Sequence, residues 1–332
     1  MLLSICIPTY NRPDCLENCL NSILKSKINS NNNLEICISD NNSEADLSLI
    51  IKKYKDKLNI NYHKNSKNLG HGRNFLKVVS MARGEYVWTL GDDDLLLPYS
   101  LNNLFKLILQ NTDIDFFFIN SYNLDSKKIF SFPQPFDTKN LPKLMVKYSK
   151  KKESEKINFF DLINPKISFD YLMGMYLLVF KRDNWIKNLD AIDYRKIRDP
   201  RIFSTFENTC GYVKIISRAF SSSKAYFQSD PLSVNLSGRR DWSNLYEFIE
   251  IVRIPEILDV HRSNGLPLLK YLYCKNLALK NFFPNFVKMY LNKETSGYNY
   301  VSLKSHFFRN LFYPYAILSI VFFLYRKIKK II

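Results

Sequence analysis

The stretch Gly84-Glu85-Tyr86-Val87-Trp88-Thr89-Leu90-Gly91-Asp92-Asp93-Asp94 joins a strand-like apolar run to three consecutive aspartates. Adjacent carboxylates repel each other, and an apolar core does not accept them unpaired. A divalent cation would relieve this repulsion, because Mg²⁺ and Mn²⁺ prefer oxygen ligands and often bind through one or two carboxylates plus substrate phosphates. A solvated acidic turn is the alternative, since Gly91 is also ordinary turn punctuation.

Strand-like and helix-like segments alternate around this stretch. Short apolar runs at residues 2–7 and 34–39 predict buried strands, and apolar residues at helical spacing from Cys15 to Leu24 predict a helix between them. This alternation indicates an α/β fold with a mostly parallel, Rossmann-like sheet flanked by helices. Ligands bind such sheets at the carboxyl ends of the strands. Polar clusters follow four strand-like runs, directly after Ile7, Ser39, His63 and Leu90.

Four motifs occupy these strand ends in order. They are Pro8-Thr9-Tyr10-Asn11-Arg12, Ser39-Asp40-Asn41-Asn42-Ser43, Asn68-Leu69-Gly70-His71-Gly72-Arg73-Asn74 and the stretch from Gly84 to Asp94. The set resembles the nucleotide-sugar-binding half of family 2 glycosyltransferases, which have the GT-A fold. It is most similar to the branch that contains bacterial abequosyltransferases of O-antigen synthesis. The resemblance is specific over residues 2–100, weaker over 165–240, and has no motif match beyond them.

The resemblance implies a nucleotide-sugar site built from all four motifs. Asp40 would accept hydrogen bonds from the N–H groups of a pyrimidine base, and the loop at residues 8–12 would lie against the base and ribose. Helix capping is the alternative for Asp40, and a simple strand-to-helix turn is the alternative for the loop. Arg73 would approach the donor phosphates, although an arginine in an exposed first helical turn is also ordinary. The implied residues are Pro8, Thr9, Tyr10, Arg12, Asp40, Asn68, Gly70, Arg73, Asp92 and Asp93.

The aspartate run corresponds, in this resemblance, to the family's DxD motif. Asp92 would contact the ribose and share in the metal site, Asp94 would coordinate Mn²⁺ or Mg²⁺, and Asp93 would assist or remain solvated. The cation would neutralise charge that builds on the departing nucleoside diphosphate. Leaving-group stabilisation and positioning therefore dominate the expected catalysis.

The resemblance also implies inversion at the anomeric carbon, which requires a general base that deprotonates the acceptor hydroxyl. Many relatives supply this base from a Glu-Asp pair, and this chain departs from that pattern. Glu207 is the first candidate and Asp199 the second, while a capping carboxylate without a catalytic role is the alternative. Arg239 and Arg240 would hold the diphosphate of the donor or of the acceptor, unless they form a solvated basic turn.

The composition is that of a folded protein. The 332 residues are 46% hydrophobic and 15% aromatic. The six cysteines fit neither a CxxC metal pattern nor a small disulfide scaffold. Cys6 and Cys37 lie in strand-like apolar runs, which indicates buried, reduced thiols and a reducing compartment. The Lys-rich segment 137–156 has few apolar anchors and is expected to form a mobile surface loop.

The net charge of +17 is concentrated towards the C-terminal end. Residues 270–332 contain eleven Lys or Arg and one acid, which indicates an anionic surface as a partner. The uncharged run 310–325 is shorter than the about 20 residues that span a bilayer, and Pro314 interrupts it, so we expect an interfacial or re-entrant segment. The predicted divisions are a GT-A domain at 1–240, with a nucleotide-sugar half at 1–100 and an acceptor half at 101–240, and a helical membrane-associating region at 241–332.

These features together predict an inverting, cation-dependent glycosyltransferase. Its donor would be a UDP-, CDP- or dTDP-sugar and its acceptor a polyprenyl-diphosphate-linked glycan of bacterial surface polysaccharide or O-antigen synthesis. The predicted location is the cytoplasmic face of the plasma membrane, bound peripherally to anionic lipid. A sugar-nucleotide nucleotidyltransferase is one alternative, although the loop at residues 8–12 lacks the glycines that hold a triphosphate. A nucleic-acid-binding protein is another alternative, but the positive charge lies beside an apolar run and the sequence has no nucleic-acid reader motif. A catalytically inactive scaffold is a third alternative, and the sequence does not predict an oligomeric state.

Overall fold

The computed structural model describes residues 1–26, 33–197, 203–238 and 242–328. A mixed sheet lies at the centre of this part of the chain. Its strands are β1 (Leu3–Thr9), β2 (Leu34–Asp40), β3 (Ile60–Lys64), β4 (Tyr86–Thr89), β5 (Asp94–Leu96), β6 (Phe116–Asp125), β7 (Val146–Lys147), β8 (Glu155–Asn158), β9 (Leu178–Lys181) and β10 (Lys224–Ser237). They pair in the order β3-β2-β1-β4-β9-β6-β10-β5, with β7 joined to β6 and β8 joined to β10.

Helices flank the sheet and continue beyond it. In the described residues they are α1 (Pro13–Lys25), α2 (Ser48–Lys55), α3 (His71–Ser80), α4 (Ser100–Gln110), α5 (Arg182–Ile186), α6 (Phe206–Cys210), α7 (Tyr212–Ala219), α8 (Tyr246–Phe248), α9 (Ile254–Ser263), α10 (Leu268–Ala278), α11 (Phe282–Leu291) and α12 (Pro314–Ile328). The predicted α/β fold, with helices around a central sheet, is confirmed.

The N-terminal half of the sheet is parallel. β1 and β2 are rich in apolar residues and almost wholly buried, as strands covered on both faces are. Leu3 lies opposite Leu34 and Thr9 lies opposite Asp40, while β4 and β3 flank this pair in the same direction. The carboxyl ends of these strands therefore share one edge, and that edge carries the four polar motifs.

The other half of the sheet is mixed. β9 runs antiparallel to both β4 and β6, and β5 runs antiparallel to β10. The long strand β10 shifts its register against β6 between Gln228 and Ser233. Pro231 lies in that interval, and because proline has no N–H to donate it is tolerated at such irregularities. The pairing of β5 with β10 places the third aspartate of the run inside the sheet.

The segment 137–156, predicted to be a surface loop with few apolar anchors, is exposed or half-buried at most of its positions. It contains β7 and the start of β8, and Tyr148 and Ser149 are buried. The main-chain N–H of Tyr148 donates to the carbonyl oxygen of Ser121 at 2.8 Å, and its ring lies 6.2 Å from that of Phe118. Tyr148 is therefore an apolar anchor in a run that lysines dominate, and the mobility of the segment stays a prediction.

The helices after residue 245 share the main hydrophobic core. The ring of His261 in α9 lies between Ser217 of α7 and the carbonyl oxygen of Tyr171. The hydroxyl of Tyr171 donates to the carbonyl oxygen of Cys274 in α10 at 3.0 Å. All six cysteines are free and buried, which confirms the prediction for Cys6 and Cys37. The proposed division at residue 240 stays a prediction.

The C-terminal helices were compared with the length and composition of a membrane span. Among the described helices, none is by itself long and apolar enough to cross a bilayer. Leu303–Phe312 and Pro314–Tyr325 reach that length and composition only as a pair, with a bend of 83° between them.

Candidate functional site

Hydrogen bonds join the polar loops at the carboxyl edge of the parallel strands. The main-chain N–H of Asn11 donates to Ser43 Oγ at 2.8 Å, and Asn11 Oδ1 accepts from the N–H of Glu44 at 2.8 Å. Thr9 Oγ1 donates to Asp92 Oδ2 at 2.8 Å. The loop after β1 thus contacts both the loop after β2 and the aspartate run.

A pair of asparagines ties the loop after β3 to the loop after β2. Asn41 Nδ2 donates to Asn68 Oδ1 at 2.8 Å, and Asn41 Oδ1 accepts from the N–H of Leu69 at 2.8 Å. Asn68 Oδ1 also accepts from the N–H of Gly70, whose φ of 80° favours glycine before α3. Asn68 and Gly70 therefore shape the start of α3, and their contact with a nucleotide stays a prediction.

Asp92 is a buried carboxylate with two partners, one at the end of β1 and one in the loop that follows. It accepts from Thr9, and a terminal guanidinium nitrogen of Arg12 donates to Oδ1 at 3.4 Å. Burial raises the pKa of Asp92 to about 7, and the charge of Asp93 adds to this effect, while Arg12 and Thr9 oppose it. Charge on Asp92 is therefore costly in this structure, and another cation nearby would lower that cost.

Asp93 is the second carboxylate that faces Arg12, with Oδ2 at 3.6 Å from the guanidinium. Gly91 makes this arrangement possible, because a Cβ at that position would lie 2.8 Å from Asp93 Oδ1, closer than van der Waals contact allows. Arg12, Asp92 and Asp93 form a compact group, which we call the Arg12–Asp92–Asp93 cluster. One guanidinium faces two carboxylates in this cluster.

Asp94 is held by donors of the protein itself. Its Oδ2 accepts from the N–H of Gly91 at 2.8 Å, and its Oδ1 accepts from Nδ2 of Asn235 at 2.7 Å. The sheet imposes this contact, since Asp94 begins β5 and lies opposite Asn235 in β10. The metal role of Asp94 stays a prediction, and its carboxylate also stabilises the turn and the sheet.

The carboxylates of Asp92 and Asp93 fit a hard divalent cation. Within the described ranges, no group of three or more His, Cys, Asp or Glu side chains could hold a metal ion. Mg²⁺ and Mn²⁺ do not need such a group when substrate phosphates complete their coordination. Two adjacent, buried carboxylates are the oxygen donors that such a shared site requires.

Asp40 is fully buried at the end of β2, and both of its carboxylate oxygens accept hydrogen bonds. Oδ2 accepts from the hydroxyl of Tyr62 at 2.9 Å, and Oδ1 accepts from the N–H of Ser43 at 2.8 Å. This geometry fixes the turn after β2, and base recognition by Asp40 stays a prediction. Pro8 lies opposite Ser39 in the sheet, whereas Tyr10 is 41% exposed and offers a ring face to a ligand.

The first turn of α3 packs closely on α6. A Cβ at Gly72 would lie 3.1 Å from the carbonyl oxygen of Glu207 and 3.2 Å from Cα of Asn208, so a larger residue would push the two helices apart. Arg73, in the same turn, donates to the carbonyl oxygen of Tyr194 at 3.4 Å. The predicted base Glu207 is therefore next to the helix that the third motif opens.

Glu207 is buried in the first turn of α6, which Thr205 caps by accepting from the N–H of Asn208. Its carboxylate accepts a hydrogen bond from Nζ of Lys214 and lies 3.9 Å from Nζ of Lys196. An ion-paired carboxylate can take a proton only at the expense of that pair, so the role of general base stays a prediction. Three further predicted residues lie outside the described ranges: Asp199, Arg239 and Arg240.

Tyr62, Asn74 and Asn235 complete the site but are not among the predicted residues. Asn74 Oδ1 accepts from Ser39 Oγ at 2.7 Å, which holds α3 against β2. Its place in the third motif is a usable sequence signal. Asn235 gives no such signal, because its partner Asp94 is 141 residues away.

Comparison with known proteins agrees with this geometry. Residues 4–170, half of the chain, match the family model described as glycosyl transferase family 2. The abequosyltransferase RfbV of Salmonella typhimurium is 46% identical over 116 residues, which are 34% of this chain and 34% of RfbV. A GalNAc(5)-diNAcBac-PP-undecaprenol beta-1,3-glucosyltransferase of Campylobacter jejuni is 36% identical over 107 residues, 31% of this chain and 33% of that protein. The match thus spans about a third of each relative's length.

Solved structures extend the likeness of fold over nearly the whole chain. S. aureus TarS 1–349 in complex with UDP superposes with a TM-score of 0.57 and covers 92% of this chain and 76% of TarS. At 16% identity, this likeness shows the GT-A-like α/β fold alone.

Proposed function

The chain belongs to glycosyl transferase family 2, and on that premise we propose that it transfers a sugar from a nucleoside diphosphate-sugar to a glycan acceptor. The Arg12–Asp92–Asp93 cluster, held by Thr9 at the carboxyl edge of the sheet, is the observation that supports this most directly. A diphosphate is anionic and binds divalent cations. The cluster therefore offers it a guanidinium for direct contact and carboxylates for contact through a cation.

The donor is assigned to the edge formed by the loops after β1, β2 and β4. The exposed ring of Tyr10 stacks on the base, and Arg12 turns from the carboxylates towards the diphosphate when it arrives. Asp40, which accepts from Tyr62 at the end of β2, is proposed to recognise a pyrimidine base, and UDP, CDP and dTDP are the proposed leaving groups. Arg73 supplies a second positive charge from the first turn of α3.

Asp92 and Asp93 are proposed to hold a Mn²⁺ or Mg²⁺ ion together with the donor phosphates. When bound, the cation supplies charge neutralisation for the departing nucleoside diphosphate. Asp94 is proposed to hold the turn, because both of its oxygens already accept from Gly91 and Asn235. The sequence-based assignment of the metal to Asp94 is the competing proposal, and the two predict different variants to lose cation dependence.

The reaction is proposed to invert the anomeric configuration in a single displacement. Glu207 is the described carboxylate best placed to accept the acceptor's proton, since it lies beside the first turn of α3. Its pair with Lys214 would have to open or relay the proton. Asp199 remains the second candidate for this role.

The acceptor is proposed to be a polyprenyl-diphosphate-linked glycan of bacterial surface polysaccharide synthesis. The names of the two relatives support this, one an abequosyltransferase and the other a glucosyltransferase acting on an undecaprenyl-linked glycan. Arg239 and Arg240 are proposed to hold a diphosphate of donor or acceptor. A peripheral location on the inner face of the plasma membrane agrees with the basic C-terminal sequence.

A thermal-shift panel tests the donor and the cation together. UDP, CDP, dTDP and GDP are each added with Mn²⁺, with Mg²⁺ and with EDTA. Because a ligand stabilises only the folded state it binds, one pyrimidine diphosphate should raise Tm, and only with a divalent cation. A uniform response to all four nucleotides, or one unchanged by EDTA, would contradict the proposal.

A further inference from the structure

In helix α12 the apolar residues face outward and the small or polar residues face the protein, which is the reverse of a helix on the surface of a water-soluble protein. Its residues that face the protein are small or polar, since Ala316 and Ser319 are fully buried. Ser319 Oγ accepts from the main-chain N–H of Phe283 in α11 at 3.0 Å. The outward side chains are large, apolar and 39–64% exposed: Ile317, Leu318, Ile320, Val321, Phe323, Leu324 and Tyr325. Exposure of this face to water is unfavourable, because a helix in water normally buries its apolar stripe.

Exposed apolar side chains continue on the two helices that pack against α12. Leu269 and Tyr273 of α10 and Tyr290 and Leu291 of α11 are all more than half exposed. The N–H of Tyr315 donates to Asn276 Oδ1 of α10 at 2.8 Å, so α10 and α12 are in direct contact. Apolar surface of this extent marks an interaction site. We call the outward faces of α10, α11 and α12 the C-terminal apolar surface.

The charge of the C-terminal sequence favours an anionic partner for this surface. Residues 295–332 contain six Lys or Arg and no acid. Lys304 and Arg309 precede the bend, and Arg326 and Lys327 follow the apolar run in the sequence. Anionic lipid headgroups attract such residues, whereas a second copy of the same basic surface would repel them. Lipid therefore matches both the apolar face and its charges.

The described length of α12 is shorter than the hydrocarbon core of a bilayer. Its 15 residues extend about 22 Å, less than the hydrocarbon core of about 30 Å. The bend of 83° turns α12 away from Leu303–Phe312. A cavity of about 560 Å³ lies at this bend, lined by apolar residues such as Phe312 and Pro314 and by the cation Arg309.

We propose that α12 inserts its outward face among the acyl chains of one leaflet of an anionic bilayer. The cavity at the bend then lies at headgroup depth, where Arg309 contacts a lipid phosphate. This deepens the proposed function and rests on it for one point, that the acceptor is lipid-linked and must be met at the membrane.

A chain of side-chain contacts joins the helical segment before the bend to the helix of the candidate base. His306 Nε2 lies 3.1 Å from Glu256 Oε1, and Arg253 donates to the other oxygen of Glu256. The Nε of Arg253 donates to Thr209 Oγ1 at 3.2 Å in α6. Because α6 also carries Glu207, these contacts connect the segment before the bend to the helix of the proposed site of transfer.

Vesicle flotation of the full chain tests insertion. Wild type should float with vesicles of phosphatidylglycerol and phosphatidylcholine, and Ile320→Asp or Leu324→Asp should lower the partition coefficient by at least about tenfold, since a charge in acyl chains is unfavourable. The matched control is Leu109→Asp, which changes a 64% exposed leucine on α4 and should float as wild type does. Equal flotation of all four proteins would overturn the proposal, as would wild type that stays in solution.

The depth of α12 in the bilayer distinguishes insertion among the acyl chains from binding at the membrane surface. Phe323→Trp should give a fluorescence signal, relative to wild type, that lipids brominated on their acyl chains quench and that soluble iodide quenches poorly. The reverse pattern would place α12 outside the leaflet. If size-exclusion chromatography shows a dimer that Ile320→Asp dissociates, and no vesicle binds, the occupant is a second copy and the lipid proposal is wrong.

Nucleotide binding distinguishes failure of this proposal from failure of the proposed function. The two aspartate variants of α12 should retain the wild-type thermal shift with the pyrimidine diphosphate and Mn²⁺, because the donor edge is elsewhere. Loss of flotation with an intact thermal shift supports insertion. An intact flotation pattern in a protein that binds no nucleotide would leave insertion standing and remove the donor proposal.

Discussion

Single substitutions at the donor edge distinguish a cation held by Asp92 and Asp93 from a cation held by Asp94. Asp93→Asn removes one carboxylate that faces Arg12 and changes no hydrogen bond that holds β5 to β10. It should abolish the Mn²⁺-dependent thermal shift by the nucleotide while leaving the Tm of the free protein near its wild-type value. Thermal denaturation with and without nucleotide measures both quantities.

Asp94→Asn should lower the stability of the protein and leave its Mn²⁺-dependent nucleotide binding intact, the reverse of Asp93→Asn. An amide cannot accept from both Gly91 and Asn235, so one buried donor loses its partner, at a cost of about 1–3 kcal/mol. The free energy of unfolding should fall, and Mn²⁺-dependent binding should persist in the protein that remains folded. A stable Asp94→Asn protein without cation dependence would favour the sequence-based assignment of the metal to Asp94.

Glu207→Gln tests the general base at the same scale. Glutamine retains the size of the side chain but cannot take the acceptor's proton, so transfer should fall by a factor of about 100 or more while donor binding is unchanged. Single-turnover transfer and the nucleotide thermal shift measure the two effects. If transfer is unchanged, Glu207 is not the general base and Asp199 becomes the candidate for that role.

The contact between α3 and α6 determines how precisely two elements meet at the site. Gly72→Val should force α6 away from α3, because its Cβ would already lie 3.1 Å from the carbonyl oxygen of Glu207. We expect a loss of about 1–3 kcal/mol in the free energy of unfolding and a larger loss of transfer than of donor binding. Urea denaturation and kinetic assays test this.

The control for this helix pair is Ser80→Val, which changes an exposed residue at the other end of α3. It should leave both stability and transfer close to wild type. If the two valine variants lose transfer equally, the contact of Gly72 with α6 is not what positions the site.

Elements differ in how far the sequence alone predicts them. β1 and β2 are predictable because each is a local apolar run that ends in a polar motif, and the parallel sheet then brings Thr9 beside Asp40. β5 is three residues long, and its pairing with β10 joins positions 141 residues apart. The structural role of Asp94 depends on that distant pairing, so the motif at residues 92–94 does not reveal it.

Segment 137–156 illustrates the same limit for packing. Its lysines predict a solvated loop, but Tyr148 packs among Phe118, Phe169 and Tyr176, and this outweighs the surrounding charge. Charge composition describes the surface that a segment presents, whereas a single buried aromatic residue determines where the segment lies.

At the scale of the whole molecule, His261 couples global stability to pH. It joins α9 to α7 and to the loop of Tyr171, and burial lowers its pKa to about 4. The unfolded chain binds a proton with a pKa near 6.5, so between these values the unfolded state holds more protons than the native state. The free energy of unfolding should therefore fall as pH decreases from about 6.5 to about 4, by roughly 2 kcal/mol at pH 5 relative to pH 7.

Urea denaturation at pH 7 and pH 5 measures this contribution in wild type and in His261→Gln. Glutamine cannot take up a proton, so the variant should lose less stability than wild type between the two pH values, even if it is less stable at pH 7. The control is His63→Gln on the exposed end of β3, which should retain the wild-type difference. Because other groups titrate in the same range, the difference between variants is the informative quantity. If His261→Gln shows the full wild-type loss, the acid sensitivity arises elsewhere, and α9 is not the pH-dependent link between the C-terminal helices and the sheet.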